Sequence, residues 1–553
     1  MSANIRLCRI PDGNRDVFLD LSMAARHGLV TGATGTGKTV TLQALAEGFS
    51  RAGVSVFCCD IKGDLSGVAA QGSSEAKISG AFGKLGLPRP EWAACPVEFW
   101  DVAGKLGLPL RATVADLGPL LLSRLLALSD VQADVVRVLF RVADERGLPV
   151  LDLKDLRALI GWVSDRADEL KAEYGLLSPQ SLAALQRSVL VLEDTGAGAF
   201  FGEPALSVAD LLRVGTDGRG TVHVLAAEAL MNEPALYAVV MLHLLGELFE
   251  ELPEAGDLDK PKLVLMIDEA HLLFDEAPKA LVDAVERTAR LVRSKGVGLW
   301  LVTQSPLDVP ESVLGQLGNR VHHALRAYTP KDRAAVDSVA DNLRPNPKLD
   351  PRSAITELGV GEALVSFLDS EGRPLPVERA RVVPPASRVG PLSAAERALV
   401  VGASALAGAY ARSVDRESAY EILKGRVAGG AGAGSADPRA AGTAAGAGHR
   451  TGPGAGGTAQ EPSIEDIEAE LRGEAPRGSG GASGDPYFRD EADAVPEPER
   501  RPAPRPRAEP ARTTRRGSGG FVEDLARAAV QSASRELGRQ LVRGLLGTRR
   551  RRR

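Results

Sequence analysis

Cysteine is scarce: Cys8, Cys58, Cys59 and Cys95 are the only four in 553 residues. None has C-x-x-C spacing, so no zinc site or other metal cluster is expected, and the low number suits a reducing compartment better than a disulfide scaffold. Cys58 and Cys59 lie in an apolar run and read as small buried hydrophobes. Aromatic residues make up 4% against 44% hydrophobic overall, so the core must lean on Leu, Val and Ala. No run of about 18 apolar residues occurs, which predicts no membrane span. The most apolar helical candidate, 117–128, is broken by Ser123 and Arg124. The first ten residues carry charges and lack an apolar signal core, so the expected location is the cytoplasm. The net charge of −5 selects no partner by itself. Charge is uneven, however, and the last five residues, Arg549 to Arg553, are all arginine.

What is present is a phosphate-binding signature. Gly32-Ala33-Thr34-Gly35-Thr36-Gly37-Lys38-Thr39 fills every fixed position of G-x-x-x-x-G-K-[ST]. A short apolar segment, Gly28–Thr31, precedes it and can be a strand; Val40 to Phe49 follows and can be a helix. Glycines let such a loop close around phosphate with backbone N–H groups and a helix N-terminus facing the anion. Lys38 is placed to reach the β- and γ-phosphates and Thr39 to hold Mg²⁺, so ATP and Mg²⁺ are the expected ligands.

Near-continuous Val/Leu/Ile runs predict strands at Gly28–Thr31, Val54–Asp60, Val97–Asp101, Thr221–Ala226, Leu263–Asp268, Val297–Thr303 and Arg320–Ala327. Strands covered on both faces read this way. The alternation with helices predicts an α/β fold, a RecA-like P-loop ATPase core with a parallel sheet flanked by helices. Residues 106–213 interrupt the rhythm with helical patterns. A capping box at Thr113–Asp116 opens one helix, and Asp130–Glu145 repeats apolar residues at helical spacing. The expected order is therefore a first part of the core (1–105), a helical insertion (106–213), a second part with the acidic and sensor strands (214–390) and a short helical extension (391–425). Residues 426–520 are rich in Gly, Ala, Pro, Ser and Arg with almost no large apolar side chains, and read as a disordered linker. In 521–553, Phe521, Leu525, Ala529, Ala533, Leu537, Leu541 and Leu545 recur every four residues, predicting a basic amphipathic helix. That helix could dock on nucleic acid or on an anionic membrane; a solvated charged end accounts for it equally well.

Two further pieces complete a catalytic set. Leu263–Ile267 runs into Asp268-Glu269. Asp268 suits Mg²⁺, and Glu269 suits the general base that polarises the attacking water. Val297–Thr303 ends at Gln304, a candidate γ-phosphate sensor if this strand lies between the phosphate-loop strand and the acidic one. Asp60, at another strand end, either organises the cleft or caps its own turn, and Lys62 is a weaker candidate. His271 reads as a helix-start residue. Arg293, Arg320 and Arg326 are candidates for the arginine that stabilises transition-state charge across a subunit interface.

Longer blocks carry a resemblance. Arg26 to Thr39, Asp60-Ile-Lys-Gly-Asp-Leu65, Met266-Ile-Asp-Glu-Ala-His271, Val302-Thr-Gln-Ser-Pro306, Leu314 to Arg320, Ala324 to Pro330 and Gly361 to Ser366 resemble the HerA–FtsK group of motor ATPases, most of all its bacterial YjgR-type HerA-like branch, over roughly residues 20 to 390. The resemblance implies a ring homo-oligomer, commonly a hexamer, with nucleotide between neighbouring subunits and double-stranded DNA as track. Lys38, Thr39, Asp268, Glu269 and Gln304 fall on its motif positions; Arg293, Arg320 and Arg326 correspond less closely. Neither the β-barrel that precedes the phosphate loop in archaeal HerA nor the winged C-terminal domain of FtsK translocases is expected. The leading expectation is an ATP-hydrolysing, DNA-translocating helicase-like motor. The alternative is an ATPase whose nucleotide controls assembly or docking on a protein partner without translocation.

Overall fold

The computed structural model describes residues 4–10, 14–175, 177–256, 258–275 and 279–430. The chain divides into two units, Met1–Gly434 with Ala528–Arg553, and Ser435–Arg527; all described residues belong to the first. Residues 426–430 of the expected linker instead continue the helix Ala419–Gly430; the rest of the linker and the expected basic terminal helix lie outside the described residues.

Twelve strands form one sheet: β1 (Asn4–Ile10), β2 (Arg15–Asp20), β3 (Gly28–Thr31), β4 (Ser55–Asp60), β5 (Val97–Asp101), β6 (Leu108–Pro109), β7 (Val222–Ala226), β8 (Leu263–Ile267), β9 (Val297–Thr303), β10 (Asn319–His323), β11 (Glu362–Ser366) and β12 (Glu378–Val382). Their order is β2-β1-β12-β11-β10-β3-β9-β8-β4-β7-β5-β6. From β10 to β6 every neighbour is parallel. From β10 outward through β11, β12, β1 and β2 every neighbour is antiparallel. The sheet is thus mixed and mostly parallel. All seven expected strands are present, with ends within a few residues; the antiparallel wing adds four the sequence reading did not assign, and β6 is a fifth.

The parallel strands work because both faces are covered. Successive side chains point to opposite sides, and the two hydrophobic cores divide accordingly. Leu29, Phe57, Leu265 and Leu301 join one core, and Val30, Cys58, Met266 and Val302 the other. The second core receives the phosphate-loop helix, Lys38–Arg51, through Leu42, Leu45, Ala46 and Phe49. The first receives the helices between β6 and β7 together with the almost wholly buried helix Pro234–Glu251. Residues 106–213 therefore share their core with the sheet. Within them the Thr113 box caps Val114–Leu125, and Asp130–Arg146 is helical. The helix over 117–128 starts earlier and kinks at Gly118 ahead of Pro119, because proline cannot continue the backbone hydrogen bonding of the preceding turn. All four cysteines are buried and unpaired to one another. Among the described residues no helix is long and apolar enough to cross a membrane.

The chain beyond β12 folds back over the sheet. On the phosphate-loop helix, the buried Glu47 carboxylate accepts from Ala386 N (3.0 Å) and from Ser387 N and Oγ (2.8 Å each). Gln43 Nε2 donates to Ser387 Oγ and Arg388 O. Further on, Leu406, Tyr410, Ala419 and Leu423 enter the first core, and Tyr410 stands edge-on to Trp100 at 5.1 Å.

Candidate nucleotide site

Parallel strands bring their C-terminal ends to one edge of the sheet, where α/β folds place ligands. There β3 ends at the phosphate loop, β8 at Asp268-Glu269, β9 at Gln304 and β4 at Asp60. The order β3-β9-β8 puts the Gln304 strand between the other two, the position a γ-phosphate sensor requires.

The loop is tightly bedded. Gly32, Gly35 and Gly37 have φ of 151°, 80° and 118°, a region that favours glycine. A Cβ on Gly32 would stand 2.5 Å from His323 Cβ. Ala33 N donates to Ala324 O, and Gly361 N to Thr36 O, both at 2.9 Å. Beneath the loop lie adjacent buried histidines. His323 Nδ1 donates to Glu362 O (2.9 Å), which leaves Nε2 to accept from the Thr41 hydroxyl (2.8 Å). His322 Nδ1 pairs with Thr31 Oγ1 at 2.7 Å. Burial pushes His323 down to about 4 and His322 to about 3, so both are neutral props. The sequence reading missed this bed; the two adjacent histidines that end β10 were the available signal.

Lys38 is buried, and its ammonium donates to the loop's own carbonyls at Gly32 and Ala33. Burial lowers its pKa, and the charges of Glu269 and Asp268 oppose the shift. Thr34 and Gly35 are exposed, and Ala33, Thr36, Gly37 and Thr39 are half-buried. A buried cation turned onto a glycine cradle with exposed backbone fits an anionic phosphate chain.

At the acid pair, Tyr237 donates its hydroxyl to the Asp268 carbonyl, and Glu269 N donates to Asp268 Oδ1 at 2.9 Å. Desolvation first, then the neighbouring Glu269 charge, raises Asp268 to about 6. Glu269 is 3% exposed with φ of 47°, a left-handed backbone that non-glycine residues adopt at a cost and that concentrates at functional sites. Its Oε1 lies 3.4 Å from Lys62 Nζ. Its Oε2 lies 3.5 Å from His271 Nδ1, without hydrogen-bond alignment, and makes no hydrogen bond. Two adjacent carboxylates at the end of β8 and the Thr39 hydroxyl at the same edge of the sheet offer oxygen donors of the kind that suits Mg²⁺.

Other candidates are placed differently. Asp60 is buried and accepts from Leu65 N (3.0 Å) and Ser66 N (3.1 Å); it caps its own turn. Burial raises it to about 6 against the pull of these bonds and of the Arg397 charge. His271 does start a short helix, His271–Phe274, and also faces Glu269. Gln304 is exposed. Arg293, exposed, precedes β9, and half-buried Arg320 is the second residue of β10, with Nη2 donating to Leu314 O at 3.3 Å. Both therefore sit toward the opposite edge of the sheet from the loop. Exposed Arg326 follows β10 two residues after Ala324, on the loop's edge.

A cradle for phosphate, a strand-end acid pair and a polar strand end held between them define a P-loop ATPase core. The chain matches the Helicase HerA-like C-terminal family over residues 7–465 and belongs to it. Among curated relatives, DNA double-strand break repair helicase HerA of Saccharolobus solfataricus is 31% identical over 153 residues, covering 27% of this chain and 29% of that protein. The same helicase from Sulfurisphaera tokodaii is 32% identical over 152 residues, covering 26% and 29%. The chain thus aligns with under a third of each relative's length. Among solved structures, the bacterial conjugative coupling protein TrwB superposes with a TM-score of 0.46 at 16% identity, covering 70% of this chain and 91% of that one.

Proposed function

We propose that the chain hydrolyses ATP and uses the energy to drive a ring-shaped assembly along double-stranded DNA.

 The expected ring is a hexamer with each nucleotide at a junction between neighbours. The observation that carries this reading is the strand order β3-β9-β8, which gathers Lys38, Gln304 and the Asp268-Glu269 pair at one edge of the sheet. Family membership and the HerA helicases among the relatives support the DNA track.

In this reading the backbone from Gly32 to Thr39 cradles the phosphates, and Lys38 exchanges its loop carbonyls for phosphate oxygens. Thr39 and Asp268 would hold Mg²⁺, which supplies charge neutralisation on the β- and γ-oxygens. Glu269, with an unbonded carboxylate oxygen, accepts a proton from the attacking water. Gln304 faces the γ-phosphate and reports its loss. An arginine from the neighbouring subunit, with Arg293, Arg320 and Arg326 as candidates, stabilises the transition-state charge.

The test is steady-state ATPase with and without linear double-stranded DNA. Lys38→Ala should lower turnover by about 10²–10³-fold through loss of phosphate stabilisation. Glu269→Gln should lower it by about 10²–10⁴-fold while still binding ATP. DNA stimulation that vanishes in Lys38→Ala supports the motor. Hydrolysis indifferent to DNA at low salt would move the assignment to nucleotide-controlled assembly on a protein partner.

A further inference from the structure

We propose that Lys62 is the positioning residue for Glu269: it ties down one carboxylate oxygen so that the other stays available to the attacking water. This rests on the general-base reading of Glu269. The carboxylate is nearly inaccessible, yet its oxygens are unequal. Oε1 faces the Lys62 ammonium at 3.4 Å, and Oε2 makes no hydrogen bond. The left-handed backbone at Glu269 does not fix rotation of its terminal carboxylate, since such sp³–sp² torsions are broad. A second contact is needed to hold it, and Lys62 supplies one.

Lys62 can do so because its loop is held from several sides. Asp60 caps the turn just beyond it. Gly63, at φ of 75°, lies against Glu228, where a Cβ would overlap the carboxylate. Ser66 Oγ donates to Gly63 O at 2.7 Å and accepts from Leu392 N at 2.9 Å. Gly67 packs against the carbonyls of Arg388 and Gly390, leaving no room for a Cβ. The Lys62 side chain itself is 44% exposed and crosses from β4 to the end of the adjacent strand β8. A lysine that served only as a solvated surface charge would have no reason to end on a buried carboxylate. His271, at 3.5 Å from Oε2, flanks the opposite side but is not aligned to hold that oxygen.

The experiment compares Lys62→Met and Lys62→Arg with wild type in ATPase kinetics, ADP binding with Mg²⁺ and thermal melting. Lys62→Met should lower kcat about tenfold or more, as misplacement of a reacting group does. KM for ATP and Kd for ADP should stay within about twofold, because the pair acts on the base and not on the phosphates. Lys62→Arg should recover most of kcat, and both variants should melt well above the assay temperature, so that lost turnover does not report unfolding. A kcat for Lys62→Met within twofold of wild type, beside an inert Glu269→Gln, overturns the inference alone. So does a loss that appears in KM, or one that follows the melting midpoint. Normal turnover by Glu269→Gln would instead remove the general-base assignment, and this inference with it.

Discussion

The two parts of the sheet differ in what they do for the nucleotide site. The parallel part, β10 to β6, supplies the chemistry: each candidate group stands at or just beyond a C-terminal strand end. The antiparallel wing, β11, β12, β1 and β2, supplies no candidate reacting group, yet it braces the phosphate loop. The turn into β11 gives Gly361 N to Thr36 O and Glu362 O to His323. Parallel neighbours align strand ends, whereas antiparallel neighbours send alternate ends away. One part can therefore collect side chains at one edge, and the other can return a turn to that edge as a support. If this division is right, damage to the parallel part should remove stability and binding together, and damage to the wing should weaken binding with little effect on the chemical step.

The largest expected effect is in the parallel part. Trp300 in β9 is fully buried, sits edge-on to Phe49 of the phosphate-loop helix at 6.3 Å, and covers Gly28 of β3. Trp300→Ala should cost about 3–5 kcal/mol by opening a cavity under that helix. Trp300→Phe should cost clearly less, because it keeps a ring and removes an indole N–H that has no partner. Chemical denaturation measures both. Equal losses would mean that the cavity is not what matters here.

Acid should act next. His27, His223, His322 and His323 are buried and held down to about 4, 3, 3 and 4. Unfolding restores an ordinary pKa near 6.5, so the unfolded chain binds more protons below that pH. The stability these histidines contribute is fully present above pH 6.5 and is lost as pH falls towards 4. Asp60 and Asp268, raised to about 6, work the other way between pH 6 and 4. Each histidine is displaced further from its ordinary value than either aspartate, so the net effect is a loss of stability as pH falls below 6. Melting midpoints at pH 7, 6 and 5 should fall with increasing steepness. A flat profile would mean that the histidines are not buried as neutral props, and with them would go the account of the loop's bed.

The same division explains what could be read in the sequence. Strands buried on both faces, such as Val222–Ala226 and Val297–Thr303, announce themselves as apolar runs. The wing's strands do not. Glu378–Val382 reads Glu-Arg-Ala-Arg-Val, and Asn4–Ile10 carries Arg6 and Arg9 beside a register shift in its pairing with β2. These two strands come from opposite ends of the chain and pair with each other, and pairing of that range leaves no local pattern. β10 stops at His323, short of the expected Ala327, because Ala324 turns its carbonyl to the loop at Ala33. In the candidate site, motif spacing singled out Lys38, Thr39, Asp268, Glu269 and Gln304. It could not show that Lys62 reaches Glu269 from a neighbouring strand, nor that Asp60 spends its carboxylate on its own turn. Both are facts of side-chain direction in three dimensions.

The smallest effect tests the wing itself. Gly361 has φ of 78°, and a Cβ there would meet nothing within 4 Å. Gly361→Ala therefore adds only backbone strain, about 1–2 kcal/mol. Relaxing that strain should shift the turn that donates to Thr36 O and lies against Gly37, whose own Cβ would stand 3.3 Å from Gly361 Cα. ADP affinity should fall severalfold with kcat nearly unchanged. Gly218→Ala is the matched comparison: φ is 80°, the space around a Cβ is equally open, and the turn belongs to the segment before β7. It should lose similar stability and no affinity. Were both variants to bind ADP like wild type, the wing would be a passive edge of the sheet. Were both to lose affinity equally, the effect would be one of global stability. Only a loss confined to Gly361→Ala assigns the wing its part in holding the phosphate loop.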